Sequence, residues 1–132
     1  MRDGSSGGLV ISVVVPIFNE EELITRFHGA VASALDSVGE AWEVVYVNDG
    51  SRDSSMGLLR GFQEADLRVV VVDLSRNWGH VGAISAGLLT ARGDAIVLME
   101  GDFQDPPEVL PELVDAWRAG AEVVVAVRRS RQ

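Results

Sequence analysis

The sequence predicts an α/β fold, a mainly parallel sheet with helices on both faces. Short segments rich in β-branched residues alternate with segments whose apolar residues recur at helical spacing, an order typical of a parallel sheet. The run from Ala95 to Met99 is apolar without a polar break, as expected of a strand buried on both faces. Polar residues follow each predicted strand, so they should gather at the carboxyl end of the sheet.

The composition indicates one globular domain and excludes several kinds of chemistry. The chain has 132 residues and a formal net charge of −9, with no lysine and no cysteine. The lack of lysine excludes a lysine nucleophile, and the lack of cysteine excludes disulfides and thiolate metal sites. The acidic balance argues against nucleic-acid binding, which needs a basic face. Residues 1–8 are rich in glycine and serine and are expected to form a flexible tail before a domain over residues 9–132.

The first predicted strand covers Ile11–Val15, and a helix follows over about Glu20–Val38 with one apolar stripe. Asn19 is a good candidate for the helix N-cap, and the three glutamates after it suit the positive end of the helix dipole. Gly39 is expected to end the helix.

Four further elements are predicted in order: a strand at Trp42–Val47, a helix ending near Ala65, a strand at Arg68–Leu74 and a helix at about Val81–Arg92. Ser51 or Asp53 can cap the first of these helices. Small residues in the second helix, Gly82 and Gly87 among them, would let it approach the sheet closely.

The stretch from Asp94 to Glu108 (DAIVLMEGDFQDPPE) is the one around which the rest is organised. We expect a central strand that ends at Glu100, a helix from Pro106 to about Ala119, and a fifth strand at Ala121–Val127. The strand is followed by a group of oxygen-bearing side chains, namely Glu100, Asp102, Gln104 and Asp105. Such ligands suit Mg²⁺ or Mn²⁺. The alternative interpretation is a solvated acidic turn.

The predicted carboxyl end of the sheet lacks the usual phosphate-binding loops. The turn after the first strand, Pro16 to Glu20, contains no glycine, whereas a dinucleotide fold needs a glycine-rich turn there. A P-loop also needs a lysine, which the chain lacks. A divalent cation on Glu100 and Asp102 is therefore the expected means of holding a diphosphate against an acidic protein.

Four motifs, in order, resemble those of family 2 glycosyltransferases: VVVPIFNEE (13–21), VNDGSRD (47–53), SRNWGHVGAISAGL (75–88) and DAIVLMEGDFQDPPE (94–108). Within that family they are most similar to polyprenyl-phosphate sugar transferases of the dolichol-phosphate mannosyltransferase type. The resemblance covers about residues 10–131. It implies a GT-A fold that binds a UDP- or GDP-linked sugar together with Mg²⁺ or Mn²⁺.

The resemblance also implies residue roles. The residues implied to bind the nucleotide sugar are Pro16, Phe18, Asn19, Glu20, Asp49, Ser51, Arg76, Asn77, Gly82 and Asp102. Asp49 would accept a hydrogen bond from the base, although a turn residue before Gly50 is the alternative. His80 by itself is weak evidence, because a lone histidine is more often structural. Glu100, Asp102 and Gln104 would hold the metal, with Asp102 and Asp105 as the catalytic carboxylates.

Two departures from the family pattern affect the functional expectation. Glu100 stands where the family usually has aspartate, and the chain stops at Gln132, where family members continue with an acceptor-binding half. We therefore expect either an inverting glycosyltransferase that uses a polyprenyl phosphate acceptor, or a nucleotide-sugar-binding fragment without turnover. An unrelated nucleotide binder is the weaker third possibility. Self-association and a cytoplasmic location, with the parent enzyme at the cytoplasmic face of a membrane, complete the expectations.

Overall fold

The computed structural model describes residues 10–101 and 106–120. The strands are β1 (Val10–Ile17), β2 (Ala41–Asn48), β3 (Val69–Asp73) and β4 (Ala95–Leu98). The helices are α1 (Ile24–Val38), α2 (Ser55–Ala65), α3 (Gly79–Thr90) and α4 (Leu110–Arg118), with a 3₁₀ turn at Pro107–Val109 before α4. Every strand pair among the described residues is parallel, in the order β3-β2-β1-β4. The predicted fold class is confirmed.

Helices pack on both faces of the sheet, as predicted. On one face α1, α2 and α4 cover the larger core cluster through residues such as Phe27, Leu59 and Leu110. On the other face α3 lies over β1 and β2, where Ala83 packs with Val14. Both central strands are therefore shielded from water along most of their length.

The small residues of α3 allow the close approach that the sequence predicted. A Cβ atom added at Gly87 would overlap Val14 and lie 3.1 Å from Val47 Cγ2. Since every residue other than glycine carries a Cβ atom, only glycine fits at position 87 with α3 this close to the sheet.

The predicted start of the first helix is wrong. The helix begins at Ile24, and its first turn contains no acidic residue. Asn19 is not the N-cap; it has a positive φ of 54° and lies in the loop that leaves β1. Gly39 does end the helix in the left-handed conformation, with φ 86°.

The prediction of a central β4 buried on both faces is also wrong for the part of the chain that the structure describes. There β4 pairs only with β1 and stands at the side of the sheet. Val97 and Met99 join the core under the helices, but Ile96 and Leu98 are 43% and 46% exposed. The main contacts of α3 are with β1 and β2, so among the described elements this helix leaves Ile96 and Leu98 partly exposed.

Other boundaries shift by smaller amounts. Helix α2 has Ser54 at its N-cap position without a side-chain bond, whereas the Asp53 carboxylate accepts a hydrogen bond from the Ser55 amide at 2.9 Å. Helix α3 begins two residues earlier than predicted. The predicted tail (1–8) and fifth strand (Ala121–Val127) lie outside the described residues. None of the described helices is long and apolar enough to cross a membrane.

Candidate functional site

A cleft of about 260 Å³ opens at the carboxyl end of the sheet. Loops after all four strands bound it, which is where open parallel sheets bind their ligands. The residues that line it are Pro16, Ile17, Phe18, Glu20, Asp49, Asn77, Gly79, His80 and Glu100. The convergence that the sequence predicted is thus present in the structure.

The loop after β1 is held against the loop after β2 by reciprocal hydrogen bonds. The Asn19 amide donates to Ser51 Oγ at 3.0 Å, and the Arg52 amide donates to Asn19 Oδ1 at 2.8 Å. The Glu20 amide donates to Ser55 Oγ at 2.8 Å. Asparagine tolerates the left-handed conformation that this arrangement requires. These bonds fix the direction in which the loop enters the cleft.

Asp53 also connects the loops after β1 and β2 by hydrogen bonds. Its carboxylate accepts hydrogen bonds from the Ser55 and Glu21 amides, and the Glu21 side chain in turn accepts one from the Ser54 amide at 2.8 Å. Partial burial by itself would raise the pKa of Asp53, but the bonds from Ser55 and Glu21 together lower that pKa below its usual value. Asp53 is therefore a structural anion in this loop pair.

The end of β2 carries the best-buried carboxylate of the cleft. Asp49 is only 5% exposed, and its Oδ1 accepts a 2.6 Å hydrogen bond from the Trp78 amide. Next to it, Gly50 has φ 77°, and a Cβ there would lie 2.6 Å from the Asn77 amide nitrogen. The loops after β2 and β3 are thus in backbone contact, and only glycine fits at position 50.

A side chain in the loop after β3 stabilises the turn that leads into α3. Asn77 Oδ1 accepts a hydrogen bond from the Gly79 amide at 3.0 Å. The Arg76 guanidinium lies 4.1 Å from the centroid of the Trp78 ring, a cation–π arrangement on the surface. A Cβ at Gly82 would lie 2.9 Å from Trp78 Cβ, so the start of the Trp78 side chain lies directly against the first turn of the helix.

The end of β4 supplies the last wall of the cleft. Glu100 Oε2 lies 3.2 Å from His80 Nε2, which comes from the first turn of α3. Gly101 is buried, and a Cβ there would lie 2.5 Å from Ile17 Cδ1. The backbone after β4 is therefore pressed against the end of β1.

The charge of the cleft is negative. Its described lining includes the carboxylates of Glu20, Asp49 and Glu100 and no arginine. A diphosphate would be repelled here unless a cation compensated its charge. The chemistry of these oxygen donors fits Mg²⁺ or Mn²⁺.

The structure brings together most of the predicted binding residues. Pro16, Phe18, Glu20, Asp49, Asn77 and Glu100 all line the cleft. Asn19 and Ser51 support it from the loop pair described above. Arg76 and Gly82 contact Trp78 at its margin and are not among the lining residues.

Three predicted residues, Asp102, Gln104 and Asp105, lie outside the described residues. Within the described part of the chain, no group of three or more histidine, cysteine, aspartate or glutamate side chains could hold a metal ion. The metal set of Glu100, Asp102 and Gln104 and the catalytic pair Asp102 and Asp105 stay predictions.

Sequence reasoning missed part of the cleft. Ile17 lines it through the geometry of its loop, a position that its residue type does not indicate. His80 by itself was weak evidence of function, yet it lines the cleft and contacts Glu100. Its place within the SRNWGHVGAISAGL motif (75–88) was the available signal.

The parallel sheet and the carboxylate-lined cleft define a GT-A type nucleotide-sugar transferase fold, which solved structures share. A mannosyltransferase from Pyrobaculum calidifontis, solved with GDP-mannose and Mn²⁺, matches with TM-score 0.69 and 25% identity. The match covers 79% of this chain and 31% of that one. Glucosyl-3-phosphoglycerate synthase from Mycobacterium tuberculosis, solved with UDP, matches with TM-score 0.67 and 25% identity over 89% of this chain and 43% of that one.

The chain belongs to glycosyl transferase family 2, whose family model matches residues 12–132. It is 45% identical over 121 residues to the uncharacterized glycosyltransferase YkcC of Bacillus subtilis. It is 41% identical over 123 residues to undecaprenyl-phosphate 4-deoxy-4-formamido-L-arabinose transferase of Salmonella paratyphi B. Both matches cover 92% of this chain, and the chain spans 38% of the length of each relative.

Proposed function

We propose that this chain is the donor-binding part of a glycosyltransferase that transfers a sugar from a UDP- or GDP-linked donor to a polyprenyl phosphate-type acceptor. The observation that carries the proposal is the cleft at the carboxyl end of the sheet, where loops after four strands converge. The undecaprenyl-phosphate transferase among the relatives supports the acceptor class.

In this proposal the base and ribose lie against the loops after β1 and β2. Phe18 is 46% exposed and offers an aromatic face to a planar base. Pro16 and Glu20 complete that wall. Asp49 accepts a hydrogen bond from the base; its bond to the Trp78 amide uses only one of its two oxygens.

The donor diphosphate extends toward the loop after β3 and the end of β4. Asn77 lines this part of the cleft, and Arg76 stands at its margin as the nearby cation of the motif. Gly82 has no side chain, which leaves room for Trp78 next to the first turn of α3. These residues position the donor's phosphates next to Glu100.

A divalent cation, Mg²⁺ or Mn²⁺, is part of the proposal. Glu100, together with Asp102 and Gln104, would hold it, and when bound it supplies Lewis-acid stabilisation of the departing nucleoside diphosphate. The acidic lining of the cleft supports this role, as does the Mn²⁺ in the mannosyltransferase structure.

The proposed reaction inverts the anomeric carbon. An oxygen of the acceptor phosphate attacks that carbon, and the bond from carbon to the nucleoside diphosphate oxygen breaks. The acceptor is already an anion at neutral pH, so a strong general base is not needed. Asp102 and Asp105 act as the carboxylates that orient the reacting groups. A polyprenyl acceptor would place the whole enzyme at the cytoplasmic face of a membrane.

A second candidate is donor binding without turnover. It is favoured by one fact, that the chain spans 38% of the length of its relatives. Both candidates require the same donor site, so only a transfer assay with polyprenyl phosphate separates them.

Calorimetric titration with UDP and GDP, in Mn²⁺ or in EDTA, tests the donor site. We expect binding in Mn²⁺ and a loss of at least tenfold in EDTA, because the acidic cleft repels an uncompensated diphosphate. Adenosine diphosphate in Mn²⁺ is the control for non-specific metal–phosphate binding. Equal affinity for UDP or GDP with and without metal would contradict the metal role, and no binding of either would contradict the donor site.

A further inference from the structure

We infer that His80 is a positioning residue that holds the carboxylate of Glu100 in the orientation required for a divalent cation. The inference rests on the proposed donor site and adds a residue to it. Its basis is the contact between His80 Nε2 and Glu100 Oε2 at 3.2 Å, across the cleft that both residues line.

The direction of the interaction follows from the chemistry of the two groups. An ionised carboxylate carries no hydrogen, so this 3.2 Å contact is attractive when His80 Nε2 carries one. This holds for the neutral ring as well as for the charged ring. The contact with His80 involves one carboxylate oxygen of Glu100, Oε2, and not the other, Oε1.

The backbone on each side of the contact is fixed by packing. On the α3 side, the Trp78 amide is bonded to Asp49 and the Gly79 amide to Asn77 Oδ1, so the turn that carries His80 is held at two points. On the β4 side, Gly101 packs directly against Ile17. The two backbones therefore hold the side chains of His80 and Glu100 within reach of each other.

Overall stability does not explain the pair. The side chains of His80 and Glu100 are 55% and 37% exposed, and exposed ion pairs contribute little to the free energy of unfolding. A position at the mouth of an acidic cleft is more useful for orienting a ligand. Removal of His80 should therefore leave the fold intact.

Glutamate needs such support more than aspartate would. It has one more rotatable bond, which adds conformational entropy to be lost when a metal binds. Mg²⁺ and Mn²⁺ also require well-placed oxygens. A histidine that already holds one oxygen removes part of that freedom before the cation arrives, and such outer partners typically change metal affinity 10- to 100-fold.

The test is the affinity of the 132-residue chain for Mn²⁺, measured from the electron paramagnetic resonance signal of free Mn²⁺, first alone and then with saturating UDP or GDP. We expect His80→Ala to weaken Mn²⁺ binding about 10- to 100-fold. His80→Gln, which keeps an N–H donor at similar reach, should recover most of the affinity. Arg60→Ala is the matched control, since it removes a similarly exposed ion pair with Asp73 outside the cleft.

A double-mutant cycle decides whether His80 acts through Glu100. In the Glu100→Ala background, His80→Ala should produce no further loss of Mn²⁺ affinity. A wild-type protein that binds Mn²⁺ while His80→Ala binds it equally well overturns the inference and leaves the proposed function standing. A further loss in the Glu100→Ala background overturns it too. A wild-type protein without Mn²⁺ binding overturns the metal role in the proposed function, and this inference with it.

Discussion

Asp49 offers a direct way to separate a structural role from a binding role at the end of β2. Its buried carboxylate accepts a 2.6 Å hydrogen bond from the Trp78 amide. In Asp49→Ala that amide loses its charged acceptor, whereas in Asp49→Asn an amide oxygen remains to accept the bond. The two variants should therefore differ in stability while sharing the loss of the carboxylate charge.

The size of the effect follows from that one bond. A hydrogen bond to a charged group contributes roughly 1.5–3 kcal/mol to the free energy of unfolding. For a domain of this size, 1 kcal/mol corresponds to about 3–5 °C in melting temperature. Asp49→Ala should therefore melt about 5–15 °C below the wild type. Asp49→Asn should lose less than about half of that.

Binding is measured separately from stability, by calorimetry with UDP and GDP at a temperature where every variant is folded. If Asp49 accepts from the base, Asp49→Asn should bind about tenfold more weakly while it remains close to wild type in stability. The reasoning is refuted if Asp49→Ala melts with the wild type, or if both variants are destabilised equally. Normal nucleotide affinity in Asp49→Asn would reduce Asp49 to a turn residue.

Three further predictions concern the fold. Gly87→Ala forces a methyl group into the sheet and should lower the free energy of unfolding, measured in urea, by about 1–3 kcal/mol. Gly29→Ala has nothing within 4 Å of the new Cβ and should raise that free energy by about 0.5–1 kcal/mol. A change of the same sign in both variants would contradict the packing described. Burial lowers the pKa of His28 below its usual 6.5, so the folded state binds fewer protons than the unfolded state. Stability should fall as pH drops below 6.5 toward the lower pKa of the folded state, and His28→Gln should flatten that slope in denaturation measured at several pH values. At the side of the described sheet, β4 has exposed apolar residues. We therefore expect self-association that depends on concentration and that Leu98→Lys weakens. Sedimentation that shows a monomer at all concentrations would exclude this self-association.

The order of the elements could be predicted from sequence because its signals are local. The apolar run of β1 and the helical stripe of α1 are each contained within about fifteen residues, and each specifies its own secondary structure. The polar residues after the strands could also be assigned to one cleft, since the carboxyl ends of parallel strands meet at the same end of a sheet. Glu20, Asp49 and Glu100, which were assigned to the cleft on that basis, all line it.

The tertiary structure decided what depends on contacts between distant segments. Asn19 has the composition of a helix cap, but hydrogen bonds with Ser51 and Arg52 hold it in a left-handed loop. The apolar run of β4 has the composition of a fully buried strand, but α3 covers β1 and β2 instead, so one face of β4 stays exposed. For Asn19, hydrogen bonds to residues more than thirty positions away override the local preference. For β4, the position of a packed helix overrides it.

The contact between His80 and Glu100 belongs to the same class. The two residues are separated by a helix and a strand, and neither residue type identifies the other as its partner. They meet because α3 begins at the loop after β3 while β4 pairs with β1, which brings the first turn of the helix to the end of that strand. The sequence alone determined which residues could carry the chemistry of the cleft, and the packing of α3 against the sheet decided which of them touch.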